Sequence, residues 1–271
     1  MPSEPLDEAA VVPLMFLGGG RMADALLGGL IDAGRPVDEL AVVEISEARR
    51  HELAAARPGL RVVAAPLSAE AVVVATKPAD AVGALAAASG RSLRRVLSIA
   101  AGVSTRTLED VVGSRSAVVR AMPNTPALVG AGASAICGGS GATDADLDWA
   151  EDLLGAVGTV VRVPERSMDA VTGLSGSGPA YVFLIAEALI DAGVLAGLPR
   201  DVADSLTRQT LLGAAELLSS SEEGPEGLRA AVTSPGGTTA AGLRVLESAA
   251  VRAAVIDAVA AATARSIELG A

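Results

Sequence analysis

From residue 11 to residue 163, short apolar runs alternate with stretches of helical periodicity, and beyond Pro164 only the helical pattern remains. Residues 11–17 read as a buried strand. Pro13 lacks an N–H for the ladder, so it should confine the start of that strand to an edge or make it irregular. A glycine turn follows, and Ala25, Leu26, Leu27, Leu30 and Ile31 make a helix that ends near Gly34. Further strands are predicted at 40–44, 60–63, 71–76, 95–99 and 117–120, with helices at 47–56, 78–88 and 105–112. The run 71–76 is continuously apolar, as expected of a parallel strand buried on both faces, and the 64–70 connection before it is too short for a crossover helix. Segments 133–137 and 159–163 flank a helix at 144–157 and should finish the sheet. This alternation predicts an α/β fold with a doubly wound, mostly parallel sheet, whose ligands sit outside the carboxyl ends of the strands.

The second half reads as helices alone. Ser177 looks like a cap, with Pro179 in the first turn of a helix reaching 192. Tyr181, Leu184, Ile185, Ala188, Leu189 and Ala192 follow the helical period, yet Val182, Phe183 and Ala186 make other faces apolar too, so this helix should be buried on several sides. Helices at 200–219, 228–232, 238–249 and 251–269 follow, with a polar loop at 220–227. They have too few polar faces for a lone satellite domain, which predicts packing against a second subunit. The expected division is a dinucleotide-binding domain at 1–165 and an all-helical substrate and dimerisation domain at 166–271.

Composition narrows the function. The net charge of −11 argues against nucleic acid or an anionic membrane surface as partner. The start is acidic without an apolar signal core, and the apolar stretch 181–198 is broken by Glu187 and Asp191, so no membrane span is expected. A single cysteine, Cys137, excludes an intrachain disulfide and fits a cytoplasmic protein. The single histidine, His51, lies on what reads as a surface helix, so histidine-rich metal sites and serine–histidine triads are disfavoured. No metal is expected. Any hard chemistry should come from an external cofactor.

Gly18-Gly19-Gly20-Arg21-Met22-Ala23 matches the dinucleotide fingerprint with alanine in its third place. The first glycine allows the tight turn, the second lets a pyrophosphate approach the backbone, and Ala23 permits close helix packing. Glu44 ends the second strand, where a carboxylate grips a ribose 2′-hydroxyl, whereas Ser46, Arg49 and Arg50 just after it suit a 2′-phosphate. Both signals coexist. Lys77 is the chain's one lysine beside twenty arginines, and it stands at a strand end facing the expected crevice. Asn124, set between Pro123 and Pro126, can donate and accept toward a nicotinamide carboxamide or simply shape a turn. In Ser234-Pro235-Gly236-Gly237-Thr238-Thr239, two glycines expose backbone N–H groups between hydroxyls, a nest for a small carboxylate or an ordinary helix cap.

Together these motifs, with Ala75-Thr76-Lys77-Pro78, Arg120 to Pro126 and the Asp169 to Tyr181 run rich in glycine and serine, resemble pyrroline-5-carboxylate reductases. The resemblance covers almost the whole chain. The chain departs from the family pattern in the short 64–70 connection and in Gly19 and Arg21 of the glycine turn. The resemblance implies a Rossmann-type N-terminal domain, an all-helical dimerisation domain, and intertwined dimers assembled into larger rings. It implies reduction of 1-pyrroline-5-carboxylate to L-proline with hydride from NADPH (NADP as cofactor) or from NADH. By similarity, Leu17, Gly18, Gly19, Gly20, Arg21 and Met22 hold the pyrophosphate, and Ala75 and Lys77 line the nucleotide. Ala101 and Asn124 lie near the nicotinamide end. Ser234, Gly237, Thr238 and Thr239 take the substrate carboxylate, Thr239 also bonds the imine nitrogen, and Glu165 is a further candidate near that nitrogen. Two rival readings are a β-hydroxyacid dehydrogenase, whose helical-domain lysine has no counterpart here, and a non-catalytic nucleotide-sensing dimer.

Overall fold

The computed structural model describes residues 11–90 and 92–270, so the acidic start of the chain lies outside the described residues. The chain falls into two compact units, Met1–Ser177 with Ala261–Ala271, and Gly178–Ala260.

In the first unit the strands are β1 (Val12–Leu17), β2 (Leu40–Val43), β3 (Arg61–Val63), β4 (Ala69–Val74), β5 (Arg95–Ser98), β6 (Ala117–Met122), β7 (Gly132–Gly138) and β8 (Gly158–Arg162). They form one sheet in the order β3-β2-β1-β4-β5-β6-β7-β8. Every pairing is parallel except β6 with β7. The sheet's direction of winding reverses between β1 and β4, where Leu17 stands beside Val74. β1 is therefore central, so of the two outcomes expected from Pro13, an edge or an irregular start, the edge is excluded. The β2 ladder begins opposite Leu14, one residue beyond Pro13, so the missing N–H costs no rung on that side.

Five helices cover the sheet: α1 (Arg21–Asp32), α2 (Glu47–Ala56), α3 (Pro78–Ala88), α4 (Thr105–Val112) and α5 (Asp144–Gly155). Leu14, Phe16 and Val73 pack with Leu26 and Leu27 of α1, Leu53 of α2 and Leu154 of α5 on one face. Met15, Leu17, Val72 and Val74 pack with Leu85 of α3 and Leu108 of α4 on the other. The two-face burial explains the continuous apolar runs, and each fully buried leucine contributes about 1.5–3 kcal/mol. As expected, no helix stands between β3 and β4.

A long helix, α6 (Glu165–Leu195), crosses from one unit into the next. It contains a π-turn at Thr172–Gly176, closed by the Ser177 N–H donating to the Thr172 carbonyl at 2.8 Å. Ser177 is itself helical, with φ −84° and ψ −20°, and so does not cap a new helix as its sequence suggests. The preceding Gly173, Ser175 and Gly176 imitate a loop in sequence. Tertiary packing overrides that signal: Met168 is fully buried against Ala135 and Cys137, and the Thr172 and Ser175 hydroxyls bond back to the Met168 and Val171 carbonyls. A π-turn inside an α-helix is frequently a functional feature.

The second unit continues α6 from Gly178 and adds α7 (Arg200–Ser220), α8 (Pro225–Ala231), α9 (Thr238–Ser248) and the first part of α10 (Val251–Gly270). α8 starts three residues earlier than expected because Pro225 occupies its first turn behind an extended Gly224. Within this unit α6 and α7 approach closely at Gly193, where a methyl group would stand 3.0 Å from the Ala203 Cβ. The other side of α6 is bare. Phe183 is 62% and Leu184 65% exposed, and the helix is long and apolar enough to cross a membrane by length and composition.

Candidate functional site

The glycine turn sits at the point where the sheet reverses. Gly18 has φ +98°, and a side chain there would stand 2.9 Å from the Ala75 carbonyl oxygen. Gly19 is buried, and a methyl group on it would lie 2.5 Å from Leu53 Cδ1. Gly20 differs from both. Its φ of −69° suits any residue, and a methyl group on it meets no atom of the described residues within 4 Å. Nothing in the protein demands glycine there, so the open space fits a ligand that must touch the backbone. The following helix begins without a side-chain cap among the described residues, leaving the first N–H groups of α1 and its positive dipole end available to an anion. Arg21 is exposed, Met22 partly buried, and Ala23 packs into the core as the fingerprint requires. These features fit a dinucleotide pyrophosphate.

Glu44 closes the next side of the turn. Its Oε2 accepts from the Gly19 N–H at 2.9 Å and its Oε1 accepts from the Ser46 N–H at 2.9 Å. Ser46 caps α2 as expected, accepting from the Arg49 N–H at 3.4 Å. Both candidate phosphate-binding arginines are occupied. Arg49 donates to the Gly19 carbonyl at 2.8 Å, to Asp24 at 2.9 Å and to Glu52 at 3.0 Å. Arg50 donates to the carbonyls of Glu44 and Ile45, each at 2.9 Å. Ile45 stands almost wholly exposed beside them.

Just after β4, Ala75 donates to the Leu17 carbonyl at 2.9 Å, and its own carbonyl stands where a side chain on Gly18 would clash. Lys77 is exposed at the start of α3 and forms no ion pair among the described residues. Ala101 is exposed in the turn after β5, which bends through Gly102 at φ +75°.

Asn124 is buried, and its amide is committed to the protein. Its Nδ2 donates to the Ser175 carbonyl at 3.1 Å and its Oδ1 accepts from the Ala133 N–H at 2.8 Å. It thereby ties the segment after β6 to the π-turn of α6, leaving a single amide hydrogen for any ligand. Removing such a buried amide leaves two backbone groups unpaired, at about 1–3 kcal/mol each. Gly176 lets the π-turn come this close, because a methyl group on it would lie 2.7 Å from Met122 Cε.

Glu165 is similarly engaged. Its Oε1 accepts from the Thr105 N–H at 2.7 Å, its Oε2 from the Thr105 hydroxyl at 2.6 Å, and the buried Arg120 lies 3.4 Å from Oε1. Burial pushes the Glu165 carboxyl up, but Thr105 and Arg120 together outweigh it and hold it below the usual carboxylate range. The Glu165 carboxylate, which the family resemblance places near a substrate nitrogen, is thus held at the N-terminus of α4. The same buried region pushes the Cys137 thiol up to about 11, chiefly through desolvation with help from the Glu165 charge. That thiol is protonated at neutral pH.

In the second unit, the turn before α9 bends through Gly236 at φ +71°, and the Gly237 N–H donates to the Ser234 carbonyl at 3.0 Å. A side chain on Gly237 would collide with the Ser234 hydroxyl. No side chain among the described residues caps α9, and Ser234, Thr238 and Thr239 are exposed. Free N–H groups, a positive helix end and hydroxyls therefore converge on one small surface, as a carboxylate needs.

Sequence reasoning missed Thr105 and Arg120, which hold Glu165, and the strap that Arg49 makes across the glycine turn. Their partners lie 60, 45 and 30 residues away, and no local spacing signals them.

Residues 165–269 match the family model described as pyrroline-5-carboxylate reductase dimerisation, and residues 13–102 match one described as NADP oxidoreductase, coenzyme F420-dependent. A pyrroline-5-carboxylate reductase of Synechocystis is 46% identical over 267 residues, covering 96% of this chain and 98% of the relative. The chain belongs to the pyrroline-5-carboxylate reductase family. A solved reductase of this family from Coxiella burnetii superposes with a TM-score of 0.89 at 37% identity, covering 97% of this chain and 100% of that one. A Plasmodium falciparum pyrroline carboxylate reductase, solved with NADP bound, gives 0.82 at 32% identity and covers 96% and 98% of the two chains. The family's N-terminal part is the sheet and glycine turn described above, and its dimerisation part is the helical half that begins with Glu165.

Proposed function

We infer that this chain, as a pyrroline-5-carboxylate reductase, reduces 1-pyrroline-5-carboxylate to L-proline in the last step of proline biosynthesis. A nicotinamide dinucleotide is the hydride donor; reduced cofactor, cyclic imine and one proton become oxidised cofactor and proline. Leu17 to Met22 would hold its pyrophosphate, Glu44 and Ser46 its adenosine ribose, and Ala75, Lys77, Ala101 and Asn124 line the rest. The bound cofactor supplies the hydride.

The observation that carries the reaction is the uncapped turn from Ser234 to Thr239. Its backbone N–H groups suit the carboxylate of a small imino acid, with Ser234, Gly237 and Thr238 as contacts. An imine is readily protonated in water, so the chain needs to orient an iminium and shield it rather than supply a strong acid. Thr239, or water beside it, delivers or holds that proton at the nitrogen. This agrees with a helical half that has neither lysine nor histidine. A β-hydroxyacid dehydrogenase chemistry would lack its lysine acid here, and Glu165, held by Thr105, is a further candidate near the substrate nitrogen.

We also propose a working division at 165/166, a homodimer through the helical half that covers the bare face of α6, rings built of such dimers, and a cytoplasmic protein without membrane or nucleic-acid partners. The test is a purified-protein assay with pyrroline-5-carboxylate and NADH or NADPH, followed by dihydronicotinamide absorbance. Oxidation of at least one cofactor and formation of proline are expected; oxidation of neither would remove the reading. Thr239→Ala should lower kcat by about 10² or more if the hydroxyl serves the proton, and an unchanged kcat would remove that assignment.

A further inference from the structure

The glycine turn carries one more piece of information, on which dinucleotide it admits. Glu44 lies at the carboxyl end of β2, pointing back over the turn, where its two oxygens are held by the Gly19 and Ser46 N–H groups at 2.9 Å each. A carboxylate has about four acceptor positions, so two remain to receive hydroxyl hydrogens. That is what a ribose diol offers, and what a 2′-phosphate cannot offer. The phosphate would instead place its charge beside a fixed carboxylate, and it would need cations in return.

The neighbouring cations are already spent. Arg49 is locked by the Gly19 carbonyl, Asp24 and Glu52, and Arg57 shares the Asp24 carboxylate. Arg50 is folded back onto the carbonyls of Glu44 and Ile45. Freeing Arg49 would strip the strap from the glycine turn and leave Asp24 with one fewer partner. Arg21 is exposed, but it opens α1, on the side of the turn where the proposed pyrophosphate site lies.

We propose that Glu44 sets cofactor choice, and that this chain uses NADH in preference to NADPH. The inference rests on the dinucleotide reading of the turn given above. Glu44 acts by accepting from both ribose hydroxyls and by repelling the additional phosphate, with Gly19 and Ser46 fixing its carboxylate in place.

The test titrates the whole protein with NADH and with NADPH, without substrate, reading dihydronicotinamide fluorescence. NADH should bind at least about tenfold more tightly, as expected for like charges close together near a surface. Glu44→Gln, which removes the charge and keeps one acceptor, should narrow that ratio by about tenfold, chiefly through tighter NADPH binding. Glu44→Ser should narrow it at least as far, and thermal unfolding checks both variants. Equal or tighter binding of NADPH by the unaltered protein overturns the inference, as does an unchanged ratio in both folded variants. The unaltered protein's ratio decides alone where a variant fails to fold. Binding of neither dinucleotide overturns the proposed function as well, whereas tight NADH binding without turnover of the imine overturns the function and leaves this inference standing.

Discussion

Gly20→Ala separates what the fold needs from what the ligand needs. The residue has φ −69° and ψ 178°, a conformation open to alanine, and the added methyl group meets nothing within 4 Å among the described residues. Replacing glycine by alanine at a helix N-cap costs a few tenths to about 1 kcal/mol, while stiffening the unfolded chain returns about 0.4–1 kcal/mol. The net change in stability is within about 1 kcal/mol, a shift in Tm of at most about 4 °C. Cofactor binding should respond very differently. A methyl group that holds the pyrophosphate off the backbone removes one or two charge-assisted hydrogen bonds, about 3 kcal/mol or a hundredfold in Kd. Gly19→Ala is the contrast, because its methyl group lies 2.5 Å from the buried Leu53 and 3.2 Å from Glu44 Oε2. That overpacking costs about 1–3 kcal/mol in the fold itself. Thermal unfolding and fluorescence titration with NADH measure both quantities. If Gly20→Ala binds cofactor normally, or unfolds as early as Gly19→Ala, the assignment of the open space to pyrophosphate is wrong.

Two further outcomes follow from the remaining parts of the structure. The depressed Glu165 carboxyl stabilises the fold above about pH 4.3, the ordinary glutamate value, and that contribution is lost as pH falls through its lower folded-state value. Urea unfolding at pH 6 and pH 3 should therefore show a smaller acid loss for Glu165→Gln than for the unaltered chain, and equal losses would exclude the Thr105–Glu165–Arg120 cluster as a source of acid sensitivity. On the bare face of α6, Phe183→Asp with Leu184→Asp should convert the oligomer to smaller species in light scattering, since each side chain contributes about 1.5–3 kcal/mol when buried; an unchanged mass would place the subunit contact elsewhere.

The local physics of the chain made much of this legible in advance. Continuous apolar runs such as residues 71–76 can only be buried on two faces, and the Gly18 to Ala23 spacing needs a left-handed first glycine and a small third residue. Both requirements act within a few residues, so sequence carries them. The π-turn at Thr172–Gly176 was not legible, because glycine and serine there signal a loop unless Met168 is already anchored against Ala135 and Cys137. Glu44 and Asn124 show the same limit within the site. Sequence placed both at strand ends facing a crevice. Whether their polar atoms were free depended on the Gly19 N–H, 25 residues from Glu44, and on the Ser175 carbonyl, 51 residues from Asn124. The sequence by itself determined the layers and the glycine turn, since each is built from neighbouring residues, and it marked the Ser234 to Thr239 turn as the candidate carboxylate site. Only the tertiary structure decided which polar groups are spent on the protein and which remain for a ligand, because a hydrogen-bond partner is chosen by distance in space and not by distance along the chain.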